Sequence, residues 1–173
     1  KKSDRKFHAE KNWDNAIPSK EYFNELFRIS KNQIIWGANY FVEHLSEGHK
    51  GWIVWDKMQH GLTMSDSELA YSSFDCQTRI WYKNRCVLKG QNTIHPTEKP
   101  IDLYDWIIAN YSAPNQKILD THFGSGSIAL AVDKANRLDG MNLHLTACEI
   151  DKDYIEASIN RISMEIRQQV LSF

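Results

Sequence analysis

The sequence predicts an α/β fold, a single mostly parallel sheet with helices on both faces. Three observations predict it. Short apolar runs alternate with helical stretches of ten or more residues along most of the 173-residue chain. One run ends in Asp120 and passes through Gly-Ser-Gly-Ser into a helix of small residues ("ILDTHFGSGSIALA", 118–131). The next run, "LHLTAC", leads to a second acid, Glu149.

Residues 1–17 are polar and basic, with Lys1, Lys2, Arg5, Lys6 and Lys11, and read as a solvated arm or as a loop that meets phosphates. Pro18 and Ser19 open a helix, Ser19 as N-cap, with Tyr22, Phe23, Leu26, Phe27 and Ile29 on its apolar face. A buried strand is expected at 33–36, then a helix over "ANYFVEHLS" stopped by Gly48, then a second buried strand at 52–55. "SDSELAYSSF" is ambiguous, "TRIWYK" (78–83) is strand-like, and 84–96 reads as a loop. Pro100 suits the first helical position of a helix running to Tyr111. A strand at 117–120, a helix from Ser125 to about Arg137, a strand at 143–148 and a helix from Asp151 to about Gln169 complete the chain. Trp36, Trp52, Trp55, Trp81 and Trp106 fall on strands or helix faces and read as core residues.

Composition bounds the function. With 42% apolar and 25% charged residues the chain is globular, and its net charge of −1 argues against strong non-specific attraction to a polyanion without excluding a local basic patch. Three scattered cysteines, Cys76, Cys86 and Cys148, suggest reduced thiols and a cytoplasmic setting, with no metal site. No apolar run reaches the roughly 18–20 residues a membrane span needs. The chain opens on Lys-Lys-Ser-Asp without Met, so it is expected to be a piece of a longer protein.

In an open α/β sheet, ligands sit at the carboxyl ends of the strands. Glycines at Asp120–Ser127 let a ligand approach the backbone, and the following helix offers free N–H groups. Gly124, Gly126 and Ala129 also fit G-x-G-x-x-[GA], but a dinucleotide site needs further βα units after Glu149, where one helix remains. A carboxylate at Glu149 suits the ribose hydroxyls of an adenosyl group, and Asp120 suits a cationic sulfonium. The plainer alternatives are a turn acid at Asp120 and an exposed strand-end acid at Glu149.

These residues resemble a known family. "LDTHFGSGS" is similar to the cofactor motif of class I S-adenosylmethionine-dependent methyltransferases, and "HPTEKP" (95–100) resembles the segment preceding it in amino-methylating DNA methyltransferases of the permuted β order. "NQIIWGANYF" and "WIVWDK" resemble that family's mid-chain strands. The resemblance implies a Rossmann-like, circularly permuted methyltransferase domain over residues 1–173. It implies S-adenosylmethionine as cofactor and transfer of its methyl group to the N6 of adenine, or the N4 of cytosine, in double-stranded DNA. The setting it suggests is restriction–modification, with room for a homodimer. It places His95, Pro96, Thr97, Lys99, Asp120, Phe123, Gly124, Ser125, Gly126 and Glu149 at the cofactor, with Pro100 closing the upstream motif. Tyr40 is a candidate for the base pocket, and Lys83, Arg85 and Lys89 for phosphate contacts. His122 reads as local variation beside the cofactor.

The family's Asp/Asn/Ser-Pro-Pro-Tyr/Phe tetrapeptide is absent: the prolines are Pro18, Pro96, Pro100 and Pro114. In the permuted order it lies before "WDNAIPSKEYFNEL", so it is expected close to or just upstream of Lys1, the alternative being that the protein never had it, and no catalytic residue is assigned. The alternatives are a non-catalytic S-adenosylmethionine-binding module and a methyltransferase acting on a small molecule or a protein.

Overall fold

The computed structural model describes residues 17–45, 49–61, 63–84 and 93–170, with 169 and 170 described as backbone. Arg85, Lys89, Cys86 and the arm before Ile17 lie outside the described residues. The described residues fall into two compact units divided between residues 90 and 91.

In the first unit, helix α1 (Lys20–Ile29) buries Phe23, whose ring meets Phe41 and His44 at 5.1 and 5.0 Å. Four strands follow: β1 (Ile34–Trp36), β2 (Trp52–Asp56), β3 (Ser67–Ser72) and β4 (Arg79–Tyr82). Their order is β1-β3-β2-β4; β3 runs antiparallel to both β1 and β2, whereas β4 is parallel to β2. In β2, Ile53 and Trp55 are buried between half-buried neighbours, the period-2 pattern of a pleated strand. Gly51 is required just before it, because a Cβ there would lie 2.7 Å from the Ser72 carbonyl oxygen.

The second unit is a βαβ arrangement with flanking helices. Its elements are α2 (Ile101–Tyr111), β5 (Lys117–Asp120), α3 (Ser127–Asp139), β6 (His144–Ala147) and α4 (Lys152–Val170). β5 and β6 are parallel, with Ile118 opposite Leu145. The core between helices and strands consists of Ile108, Ala131, Val132, Ala135 and Leu143, with Ile118, Ile128 and Leu145 packed against it. Lys134 on α3 bridges to Asp105 on α2 at 2.6 Å. Gly140 ends α3 in the left-handed conformation (φ 63°), and the Met141 N–H reaches back to the Ala135 carbonyl.

The α/β class stands, with three corrections. The strands form a four-stranded and a two-stranded sheet among the described residues, and two of the four strand pairings are antiparallel. The ambiguous segment is strand β3, which returns beside β2 without a crossover helix and so must run antiparallel. "ANYFVEHLS" forms two 3₁₀ turns, Ala38–Tyr40 and Val42–His44; Phe41 between them leaves helical geometry (φ −143°) with its ring on Phe23. Of the five tryptophans expected in the core, only Trp55 is fully buried; the others are half-buried. Smaller shifts occur at helix starts: Pro100 is the N-cap, one residue outside α2, and α3 begins at Ser127 because Gly126 at φ 74° cannot be helical.

Candidate cofactor site

β5 delivers Asp120 to the end of its strand, where its carbonyl accepts the Cys148 N–H at 2.8 Å. The Asp120 carboxylate turns back and accepts the His122 N–H at 2.9 Å, an Asx turn that starts the loop. The Phe123 N–H bonds to the Cys148 carbonyl at 2.9 Å, so the loop is laid along the end of β6. Gly124 and Gly126 both adopt left-handed φ, 53° and 74°. A Cβ at Gly126 would fall 2.9 Å from the Ile162 Cδ1 and 3.2 Å from the Ser158 Cβ, so α4 leaves little room for a side chain there.

β6 delivers Glu149. One carboxylate oxygen accepts the Gly124 N–H at 2.7 Å and the other accepts the Asp151 N–H at 3.0 Å. The two strand tips therefore meet directly. Each carboxylate oxygen keeps a lone pair for a ligand hydroxyl. Asp151 in turn caps α4, its Oδ1 accepting the Asp153 and Tyr154 N–H groups at 2.9 and 3.2 Å.

The upstream motif reaches the same place. The His95 ring lies 3.5 Å from where a Gly124 Cβ would be, and it packs on the Tyr154 ring with centroids 4.3 Å apart. Its Nδ1 accepts the Thr97 N–H at 3.3 Å and lies 3.0 Å from the Thr97 hydroxyl, so the neutral ring carries its proton on Nε2. Pro96 and Lys99 are half-buried on either side of these contacts, and Pro100 is buried.

Burial lifts the Asp120 carboxyl above the ordinary carboxylate range. The His122 N–H bond opposes this, as do the charges of His122 and Lys99, while the Glu149 charge adds to it. Phe123 is buried with its ring against Gly126, and the Ser125 hydroxyl meets that of Ser127 at 3.0 Å. His95, Thr97, Gly124 and Glu149 are thus brought together, and Asp120 is tied to the residue before Glu149 through the Cys148 N–H. Tyr40 and Lys83 belong to the first unit: Tyr40 is 74% exposed, and the Lys83 carbonyl accepts the Trp55 indole N–H at 3.0 Å.

Two residues escape the sequence reading. Ile150, directly after Glu149, is 89% exposed and offers an apolar face beside the acid; its signal is an isoleucine at a strand end, where the buried run has already stopped. Arg161 on α4 pairs with Glu98 at 3.0 Å, both half-buried. Its signal is a cation on the same helical face as Ser158, three residues before it, and Tyr154, seven before it.

A family model described as DNA methylase, of the N6/N4 amino-methylating kind, matches residues 6–160. The match runs through both units. A 75-residue stretch is 31% identical to the type II methyltransferase M.BglII of Bacillus subtilis; it makes up 43% of this chain and 19% of that protein, so the match spans under a fifth of the relative's length. The crystal structure of the M1.HpyAVI–SAM complex superposes with a TM-score of 0.61 at 20% identity, covering 83% of this chain and 81% of that one, which shows a shared fold. The chain belongs to the N6/N4 DNA methylase family.

Proposed function

We propose that this DNA methylase transfers a methyl group from S-adenosylmethionine to the exocyclic N6 of adenine in double-stranded DNA. The observation that carries the proposal is the 2.7 Å bond from the Gly124 N–H to the Glu149 carboxylate, which joins the glycine turn and the second acid in one crevice. In this reading Glu149 accepts the ribose hydroxyls and Ile150 faces the adenine ring of the cofactor. Asp120 faces the sulfonium, which favours its ionised form. Thr97, Lys99 and the start of α3 lie towards the methionine carboxylate. His95, Pro96, Phe123, Ser125 and Gly126 shape the wall between them. The M1.HpyAVI–SAM structure, with its shared fold, supports the choice of cofactor.

S-adenosylmethionine supplies an electrophilic methyl carbon. A flipped base would present its amine nitrogen to that carbon; the nitrogen would gain the methyl and release a proton to solvent, with the thioether as leaving group. Holding donor and base in line is the contribution expected of the fold. Tyr40, Lys83, Arg85 and Lys89 are proposed to face the DNA, and the restriction–modification setting and a cytoplasmic location belong to the same reading.

The test has two stages. Calorimetry measures S-adenosylmethionine binding by the chain, and Asp120→Ala is expected to weaken it. The full-length gene product is then incubated with duplex DNA and methyl-labelled cofactor, and the product is digested to nucleosides. Labelled N6-methyl-2′-deoxyadenosine is expected. Labelled N4-methyl-2′-deoxycytidine moves the target to cytosine, and binding without transfer leaves a cofactor-binding module.

A further inference from the structure

We propose that Arg161 is a positioning residue that sets the cofactor crevice from behind, without touching the ligand. This rests on the S-adenosylmethionine reading of the crevice. Its guanidinium joins three segments. Nη1 donates to the Ser125 carbonyl at 3.2 Å and to the Ser127 hydroxyl at 3.3 Å, gripping the glycine turn and the first residue of α3. The same nitrogen pairs with Glu98 Oε1 at 3.0 Å, inside the upstream motif. Nε pairs with Glu165 Oε1 at 3.1 Å, one turn along α4, which orients the plane of the fork.

Glu98 carries the constraint onward. Its other oxygen, Oε2, accepts the Ile94 N–H at 3.1 Å, and the Glu98 N–H bonds to the His95 carbonyl at 3.2 Å, so residues 94–98 close into a compact turn with His95 inside it. Near the start of α4, Tyr154 packs its ring on that of His95. α4 therefore holds the upstream motif at two points, Tyr154 and Arg161, and holds the glycine turn through Arg161. The spacing between the His95 ring and Gly124 is the quantity these contacts set. Ser125 is a sensitive place to hold, because its peptide links two glycines in left-handed conformations that have no side chains to restrain them.

Glu98 and Arg161 are 8% and 17% exposed, so removing one partner strands a buried charge, whereas replacing both by apolar groups does not. That asymmetry separates a positioning role from a merely structural one. Arg161→Met is expected to weaken S-adenosylmethionine binding at least tenfold by calorimetry and to lower the melting temperature. In the full-length enzyme it raises KM for the cofactor while kcat at saturating cofactor stays within twofold. Arg161→Lys recovers part of the affinity, since an ammonium reaches Glu98 or the Ser125 carbonyl but lacks the planar fork. The paired variant Arg161→Met with Glu98→Met is decisive. It is expected to recover the melting temperature and not the affinity, because Ser125 and Ser127 still lack their donor. If affinity returns together with stability, the positioning role is overturned. Hydrogen exchange in ligand-free protein is independent of the cofactor assignment: the amides of Ile94, His95, Thr97 and Glu98 and of residues 124–127 are expected to exchange faster in Arg161→Met, and unchanged exchange overturns the inference. Failure of the unsubstituted chain to bind S-adenosylmethionine overturns the proposed function instead, while faster exchange would still stand for the clamp.

Discussion

β2 and β5 each end in an aspartate, and the two ends are built alike. Asp56 and Asp120 both accept the N–H of the residue two places on, Met58 at 2.7 Å and His122 at 2.9 Å. Both lend their carbonyl to the residue just after the parallel neighbour strand, Lys83 at 3.1 Å and Cys148 at 2.8 Å. The two ends part company beyond the acid. After Asp56 the protein fills the end of the strand itself. Lys57 is buried and paired with Glu68 at 3.1 Å, and the Asn84 side chain closes on the Met58 carbonyl and on Gln59. After Asp120 come two left-handed glycines, a helix start whose N-cap has no side-chain cap, and a facing carboxylate held by two backbone N–H groups. An acid at the tip of a parallel strand is thus a common way to start a turn. It becomes a candidate ligand site only where the next residues leave donors and acceptors for something else.

The largest effect expected from this contrast is at the second acid. Glu149→Ala removes the acceptor for Gly124 and Asp151 and, in the proposed function, for the ribose hydroxyls; charge-assisted bonds of this kind contribute about 1.5–3 kcal/mol each. Calorimetry is expected to show S-adenosylmethionine affinity falling about 100-fold or more. Asp56→Ala, which removes the matching turn at the other strand end, is expected to leave affinity unchanged. Equal losses in both variants would break the comparison.

The glycines sharpen it through stability. Gly126 and Gly61 both sit at left-handed φ, 74° and 80°, but a Cβ at Gly61 meets nothing within 4 Å whereas one at Gly126 meets Ile162 and Ser158. Gly61→Ala is expected to destabilise by about 1 kcal/mol from backbone strain alone. Gly126→Ala adds overpacking and is expected to cost about 2–4 kcal/mol. Urea denaturation measures both, and a Gly126→Ala variant as stable as Gly61→Ala would show that α4 does not press on the turn.

The second unit is legible in the residue string because its signals are local: an apolar run, an acid, glycines, and a helix within about fifteen residues. Asp120, Gly124 and Glu149 can be named on that basis, and Gly124 and Glu149 meet in space. The first unit is less legible. β3 carries Ser67, Glu68 and Ser72 among its six residues, so no alternation marks it as a strand, and its pairing with β1 and β2 is what makes it one. The helix expected at "ANYFVEHLS" is broken by Phe41, whose partner Phe23 lies eighteen residues back. Arg161 is invisible for a related reason. A cation on an amphipathic helix normally faces water, and only the fold brings Glu98, Ser125 and Ser127 around this one.

The smallest expected effect concerns the first acid, and its sign is informative. Burial raises the Asp120 carboxyl above its unfolded value, so the fold favours the protonated form. The stabilisation from that preference is fully present below the ordinary aspartate pKa and is lost as pH rises through the raised folded value. At neutral pH the ionised group is therefore carried at some loss of stability. Asp120→Asn keeps an oxygen for the His122 N–H and is neutral at every pH. It is expected to raise the melting temperature of ligand-free protein at pH 7 and to leave it unchanged at pH values below the ordinary aspartate range. The same variant is expected to bind S-adenosylmethionine more weakly at pH 7, because in the proposed function Asp120 is the counter-charge of the sulfonium. Affinity of the unsubstituted chain should likewise fall on acidification above the pH at which exposed carboxylates titrate. A group that lowers the stability of the empty fold while tightening the loaded one fits a ligand acid and not a turn acid. Thermal unfolding across pH, with and without cofactor, distinguishes the two: a melting temperature that Asp120→Asn leaves unchanged at pH 7 would make Asp120 the equivalent of Asp56.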